Sequence, residues 1–340
     1  MLFDRSGPGW DYEELVVLND REVGFHAIIA IDSTRRGPAF GGVRRLTYAS
    51  EALALSDALA LASTMTFKTA LAGLDAGGAK TVIVHREGLD LAEIYGRLGT
   101  AIERLGGRYV CGPDLGTGER EMGWLRTATE HVNPLDNDAG RSTARGVMAG
   151  LRAVWGFLDI EARGSSVALQ GCGSVGLGLI RMLRALRVRV IAADTSAAAV
   201  RAAKDAGAQI VAPSRVLETP CDVLVPCAVG GILSAELVPR LRCRAICGSA
   251  NNQLRTPEVG LALQAAGIAH APDVVVSAGA VIEGVLTVSG APAPDRDAVA
   301  AAIDRIEATT LEVLETSVRL EQPPGVVAVA RAQELLRVGR

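Results

Sequence analysis

Hydrophobic and polar positions along the chain change between two rhythms. Leu53, Leu55, Leu59, Leu61 and Met65 are spread through the alanine-rich residues 50–66, which Ser50 can cap, and this predicts a helix. Short apolar runs at 24–31, 43–48, 81–84, 108–111, 166–170, 188–193, 223–225, 245–247 and 274–276 predict strands. Further helices are predicted over 91–105, ended by Gly106-Gly107, over 143–158, from the glycine turn at 171–176 through 186, and over 297–319. Pro323-Pro324-Gly325 breaks the last of these, and a final helix resumes from 326. Residues 1–20 predict a capped amphipathic start, and Pro38 to Gly42 a turn.

Strands alternating with helices predict an α/β chain. Residues 131–142 are polar and turn-rich, which marks a boundary. The expected architecture is two domains separated by a cleft. Residues 1–135 form an α/β substrate-binding, catalytic and oligomerisation domain with its lysines and Asp114 on loops. Residues 143–322 form a Rossmann-type dinucleotide-binding domain, and the last helix, 326–340, docks back on the first domain. A length of 340 residues suits two domains.

Charge and composition remove several classes of function. The net charge of −3 leaves no basic footprint for nucleic acid. The most apolar long stretch, 271–288, is interrupted by Asp273 and Glu283 and is too broken to span a bilayer. The first ten residues carry Asp4 and Arg5 and no apolar core, so they do not read as a signal peptide, and a cytoplasmic protein is expected. Six scattered cysteines, with only Cys243 and Cys247 close together and no histidine near them, predict buried thiols and no metal site.

Two features carry chemistry. The chain has three lysines among its 35 lysines and arginines, and two of them, Lys68 and Lys80, fall in one glycine-rich segment. Arginine keeps its proton at usable pH, whereas a desolvated lysine beside another cation can lose it. Lys80 is therefore a candidate proton carrier and Lys68 a candidate anion anchor. Ala79 separates Gly78 from Lys80, so the segment does not fit a phosphate-binding P-loop, which needs lysine directly after glycine. The second feature is Gly171-Cys172-Gly173-Ser174-Val175-Gly176. A strand precedes it, a helix follows it, and Asp194 ends the next strand about 20 residues on, the context that a dinucleotide fingerprint requires. Gly171, Gly173, Ser174, Val175 and Gly176 are expected to bind the pyrophosphate. Asp194 is expected to bind the adenosine ribose, which favours NAD over NADP. Loops after later strands, with Cys227, Ala228, Asn252 and Ser277, are expected to line the nicotinamide side.

These motifs resemble those of the Glu/Leu/Phe/Val amino acid dehydrogenase superfamily, and most closely its leucine and phenylalanine dehydrogenases. The resemblance rests on Gly37-Pro38-Ala39-x-Gly41-Gly42, Met65-Thr66-Phe67-Lys68, Ala72 to Lys80, Pro113-Asp114-x-Gly116-Thr117, Thr143-Ala144-x-Gly146-Val147, the 171–176 turn, Pro226-Cys227-Ala228 and 248–253. It implies reversible oxidative deamination of an L-amino acid to the 2-oxo acid and ammonia with NAD, by a homodimer or larger homo-oligomer. It also implies that Lys80 is the general base, Asp114 moves protons at the amine, and Lys68 binds the substrate carboxylate. Gly42 and Met65 lie against the substrate, and Thr143 and Asn252 lie near the nicotinamide. The family's Asn-Ala-Gly-Gly-Val is here Ser277-Ala278-Gly279-Ala280-Val281, which points to a substrate other than plain leucine or phenylalanine. Alternatives are a dehydrogenase or imine reductase acting on a specialised-metabolite amine, and a non-catalytic NAD-binding regulatory protein.

Overall fold

In the computed structural model, residues 12–134, 136–288 and 295–338 are described. They fall into two compact units, one drawn from residues 1–137, 284–294 and 332–340, the other from 138–283 and 295–331.

The first unit opens with β1 (Glu14–Asp20), β2 (Phe25–Ser33), β3 (Ala39–Leu46), α1 (Glu51–Leu71) and β4 (Gly77–Val84). It continues with α2 (Leu91–Glu103), β5 (Tyr109–Pro113) and α3 (Glu119–Arg126). Its sheet has the order β1-β2-β4-β3-β5. β1 and β4 lie antiparallel to β2, while β3 runs parallel to β4 and β5. The expected amphipathic start is therefore a strand from Glu14, because β1 pairs along its whole length with β2; residues 1–11 of that reading lie outside the described residues.

Side-chain alternation divides this sheet between two layers. Ala27, Ile29, Ile31, Val43, Ala79, Ile83, Tyr109 and Cys111 pack with Ile94, Leu98 and Ile102 of α2 and Leu125 of α3. Ala30 and Val82 face the other way, onto Ala54, Ala58, Leu59 and Ala62 of α1. By parity Gly42 and Arg44 of β3, Lys80 of β4 and Gly112 of β5 share the α1 face. Helix α1 can lie close because β4 carries Gly78 there: a Cβ at 78 would stand 2.1 Å from the Thr66 nitrogen.

Three expectations are corrected here. Helix α1 does not stop at Thr66 but runs to Leu71, so Lys68 is helical; Thr66, Lys68, Thr69, Ala70 and Leu71 are all buried, and that packing outweighs the modest helix propensity of the two threonines. The helix then ends in a Schellman turn, with Gly73 at φ 68° and its neighbour Leu74 N–H donating to the Thr69 carbonyl. Gly77-Gly78 and Gly41-Gly42 are strand residues and not turns, so Lys80 sits on β4. A Cβ at Gly41 would lie 1.7 Å from the Ala79 carbonyl oxygen, so these glycines serve close strand approach.

The second unit contains α4 (Ala139–Phe157), β6 (Ser166–Gln170), α5 (Ser174–Ala185), β7 (Arg189–Ala193), α6 (Ala197–Asp205) and β8 (Gln209–Ile210). Then come β9 (Val223–Pro226), β10 (Ala245–Ile246), α7 (Glu258–Ala265), β11 (Ala269–His270) and α8 (Asp273–Val276). α9 (Gly279–Val288) begins in this unit; α10 (Arg296–Asp304) and α11 (Ile306–Leu320) follow, and α12 (Pro324–Val338) starts here. The parallel sheet has the order β11-β10-β9-β6-β7-β8, the doubly wound Rossmann arrangement whose strand order reverses between β6 and β9. Residues 274–276, expected as a strand, form α8; Pro272 and Asp273 start a helix there in spite of the three valines, and the edge strand is β11. The single helix expected over 297–319 is two helices that meet at Arg305. Among the described residues no helix is long and apolar enough to cross a membrane.

Candidate active site

In the first unit, the parallel strands β4, β3 and β5 bring their α1-facing residues to one place. The Lys80 ammonium lies 2.6 Å from Asp114 Oδ2, and both side chains are largely shielded from solvent. Arg44 Nε donates to the same oxygen at 2.9 Å. The other end of the guanidinium meets Asp57 of α1 at 3.2 Å, and the Tyr48 hydroxyl donates to Asp57 at 2.5 Å. Asp114 is held from behind by its loop: the Thr117 N–H donates to the Asp114 carbonyl, and Gly116, at φ 77°, lets the turn close on the Arg45 carbonyl. Gly42 sits against this pair, since a Cβ there would stand 2.7 Å from Asp114 Cβ and 3.3 Å from Lys80 Nζ.

Electrostatics follow from this packing. Burial is the largest influence on Lys80 and lowers its pKa from the ordinary 10.5; Asp114 opposes that, and the like charge of Arg44 adds to it. Burial pushes the Asp114 carboxyl up, but Lys80 and Arg44 outweigh it and hold the pKa at about 2. The positive neighbour expected for Lys80 was Lys68; the guanidinium that acts on the pair is that of Arg44. Lys68 is itself buried on α1, and the half-buried Met65 lies one turn before it. Asp57, Leu61, Met65 and Lys68 recur at helical spacing and form one stripe of α1.

Arg44, Asp57 and Tyr48 did not stand out in the sequence. The signal was present: Arg44 is two residues beyond Gly42 and so shares its strand face. Reading Gly41-Gly42 as a turn concealed it.

In the second unit, the 171–176 turn follows β6 and opens α5. Gly171 has φ 94° and lies against Ala228, whose Cβ would be 2.8 Å from a Cβ at 171. Gly176 packs on the Gly171 carbonyl, where a Cβ would be 2.0 Å away. Gly173 is the N-cap of α5, no side chain caps that helix end, and a Cβ there would meet nothing within 4 Å. A helix N-terminus with open space and no capping side chain suits a pyrophosphate, and Ser174 and Val175 form its first turn. Asp194, just past β7, accepts from the Cys172 N–H at 2.7 Å and from the Ser196 N–H at 2.7 Å. Its carboxylate is thereby fixed beside the turn. Cys227 follows β9 across the switch point, and its N–H donates to Gln170 at 2.7 Å. These residues fit a dinucleotide.

Asn252 and Ser277 converge on Asp273. The Asn252 N–H donates to its carboxylate at 2.9 Å, holding Asn252 at φ 50°, and the Ser277 hydroxyl donates to its carbonyl at 2.6 Å. Ser277 is buried and its only proton is thus directed into its own helix turn, which leaves it an acceptor. Thr143, on α4, neighbours Gly279, where a Cβ would stand 3.0 Å from the Thr143 nitrogen. Among the described residues no group of histidines, cysteines and carboxylates is arranged to hold a metal ion.

A Rossmann sheet with this turn, together with a desolvated lysine on a carboxylate, fits a dinucleotide-dependent enzyme. Residues 14–131 match the model of the Glu/Leu/Phe/Val dehydrogenase dimerisation domain, and residues 198–338 match that of the Glutamate/Leucine/Phenylalanine/Valine dehydrogenases. Leucine dehydrogenase of Thermoactinomyces intermedius is 37% identical over 97% of this chain and 92% of its own length. Valine dehydrogenase of Streptomyces coelicolor is 36% identical over 97% and 93%. Among solved structures, L-tryptophan dehydrogenase from Nostoc punctiforme superposes with a TM-score of 0.83 at 29% identity, over 97% of both chains. The chain belongs to the Glu/Leu/Phe/Val dehydrogenase family and is an NAD-dependent amino acid dehydrogenase.

Proposed function

We propose that Lys80 is the general base of a reversible oxidative deamination, that Asp114 moves the proton at the substrate amine, and that Lys68 anchors the substrate carboxylate. The observation that carries this reading is the 2.6 Å contact between Lys80 and Asp114 at a site where burial lowers the lysine pKa. A lysine with a lowered pKa is partly neutral at alkaline pH and can take a proton from water that adds to the imine carbon. Asp114, ionised throughout that range, accepts a proton from the substrate ammonium. Gly42 leaves the space beside both groups open. NAD, when bound, supplies the hydride acceptor; the 171–176 turn and the α5 N-terminus hold its pyrophosphate, and Asp194 its ribose. Thr143, Cys227, Ala228 and Asn252 belong to the nicotinamide side.

Lys80→Gln tests the reading. Turnover is expected to fall roughly 1000-fold, within the range for loss of a general base, while NADH still binds with its usual fluorescence change. Near wild-type turnover overturns it. The kcat of the wild type is expected to be lost as pH falls through the Lys80 pKa, so its acidic limb lies below 10.5, the ordinary lysine value.

The tied-back Ser277 supports a substrate preference other than leucine or phenylalanine. A steady-state survey of L-amino acids with NAD decides this, and best turnover on leucine defeats it. Assembly as a homodimer or larger homo-oligomer through the first unit is supported by the dimerisation-domain match and is checked by light scattering. Six unpaired cysteines suit a reducing, cytoplasmic setting.

A further inference from the structure

The Lys80–Asp114 pair does not stand alone. Arg44 reaches it from β3 and is tethered at its far end to α1 through Asp57, which in turn accepts from Tyr48. A guanidinium is well suited to this place, because its fork can meet two carboxylates at once and it keeps its charge at every pH where the enzyme works. Arg44 is only 15% exposed, so solvent screens its charge little.

We propose that Arg44 is a positioning residue for the deamination: clamped by Asp57 and Tyr48, it fixes the Asp114 carboxylate against Lys80 and maintains the charge balance under which Lys80 works. This rests on the reading of Lys80 as the base. Three properties of the network support it. Arg44 Nε and Lys80 Nζ share one oxygen, Asp114 Oδ2, so movement of the guanidinium moves the carboxylate. Asp57 sits on the helix that also carries Lys68, so the clamp links the strand bearing Arg44 to the helix bearing the proposed carboxylate anchor. The charged groups with the largest influence on Lys80 are Arg44 from β3, Asp57 from α1 and Asp114 after β5; the cation Lys68 lies on the same stripe of α1 as Asp57, and on the β2 side the partner of Lys80 is the uncharged Ala30. Arg44 disfavours the protonated lysine, while Asp57 and Asp114 favour it.

Those opposite signs give a test that a merely structural role would not pass. Arg44→Gln, Arg44→Lys, Asp57→Asn and Lys80→Gln are compared by kcat, KM for amino acid and for NAD, the pH profile of kcat, and melting temperature. Arg44→Gln is expected to lose roughly 100-fold in kcat, the scale of a misplaced catalytic group, with KM for NAD unchanged. Its acidic limb moves to higher pH, because a cation beside Lys80 has gone. Asp57→Asn also lowers kcat, but its limb moves to lower pH. Arg44→Lys returns the limb toward the wild-type position and recovers part of the rate. A folded Arg44→Gln enzyme with wild-type kcat and limb overturns the proposal, as does a shift of Arg44→Gln and Asp57→Asn in the same direction. If Arg44→Gln does not fold, Asp57→Asn and Arg44→Lys decide alone: an Asp57→Asn limb that stays put or rises overturns it. Near wild-type turnover by Lys80→Gln defeats the reading of Lys80 itself, whereas an inactive Lys80→Gln beside an unshifted Arg44→Gln defeats only the role of Arg44.

Discussion

A methyl group at position 42 would stand 2.7 Å from Asp114 Cβ and 2.9 Å from the Pro113 carbonyl oxygen, and neither can yield freely. Gly42→Ala is therefore expected to displace Asp114 and to reduce turnover by about 100-fold; the check is kcat with Lys68 and Lys80 intact. Asp114 itself ties stability to acid. Its folded pKa of about 2 lies below the ordinary 3.8, so the folded state favours its ionised form. Its contribution, about 2 kcal/mol from the size of that shift, is present above 3.8 and is lost as pH falls through about 2. Urea titrations across that window are expected to show the loss in the wild type, and no such slope from position 114 in Asp114→Asn. At this scale Lys80 stood out as a candidate because lysine is scarce in this chain, whereas Gly42 and Asp114 entered as candidates through the family resemblance. Arg44 did not, since arginine is abundant in this chain and says nothing until its strand face is known. Asp57 reads locally as one more half-exposed helix acid, and only the opposing strand gives it a partner.

Helix α1 and strand β4 form the element pair on which the site is built. Gly78→Ala would push a Cβ to 2.1 Å from the Thr66 nitrogen, backbone that cannot rotate away. The expected destabilisation is about 3 kcal/mol, the upper end for overpacking, read as a lower urea midpoint with unchanged slope. Ser50→Ala removes the oxygen that accepts from the Leu53 N–H. It should lower stability by about 1 kcal/mol, as for other helix caps, with kcat unaffected. Strand and helix cores were mostly readable from apolar runs. Their ends were misread where burial overrode local preference. Lys68 was assigned to a loop because the glycine-rich segment after residue 66 was read as a turn, yet tertiary packing carries α1 to Leu71. Gly77-Gly78 looked like a turn because glycine usually is one, whereas here it serves strand contact. Val274 to Val276 has strand composition, but a proline and an aspartate ahead of it start a helix, and four residues are too few for propensity to decide.

On the scale of the whole molecule, each unit is closed by chain that arrives from far along the sequence. The first unit includes residues 332–338, where Ala332 is buried and the Leu335 carbonyl accepts from Arg36 at 3.4 Å. Removal of residues 332–340 is expected to lower the melting temperature and to affect the first unit before the second, which hydrogen exchange resolved along the chain would show. The six-stranded order of the second unit was foreshadowed by one motif in context: strand, glycine turn, helix, strand, acid. The long-range pairing of β9 to β6 was not, because short parallel strands carry no mark of their partners. Asp194 adds a consequence for redesign. One of its oxygens is already bonded to the Cys172 amide inside the dinucleotide turn and the other to the Ser196 amide just past β7. Exchanging it for a neutral residue to admit a 2′-phosphate would also unfasten that turn, so altered coenzyme choice and a slacker binding loop would arrive together, and a successful variant would need a new fastening for the Cys172 and Ser196 amides.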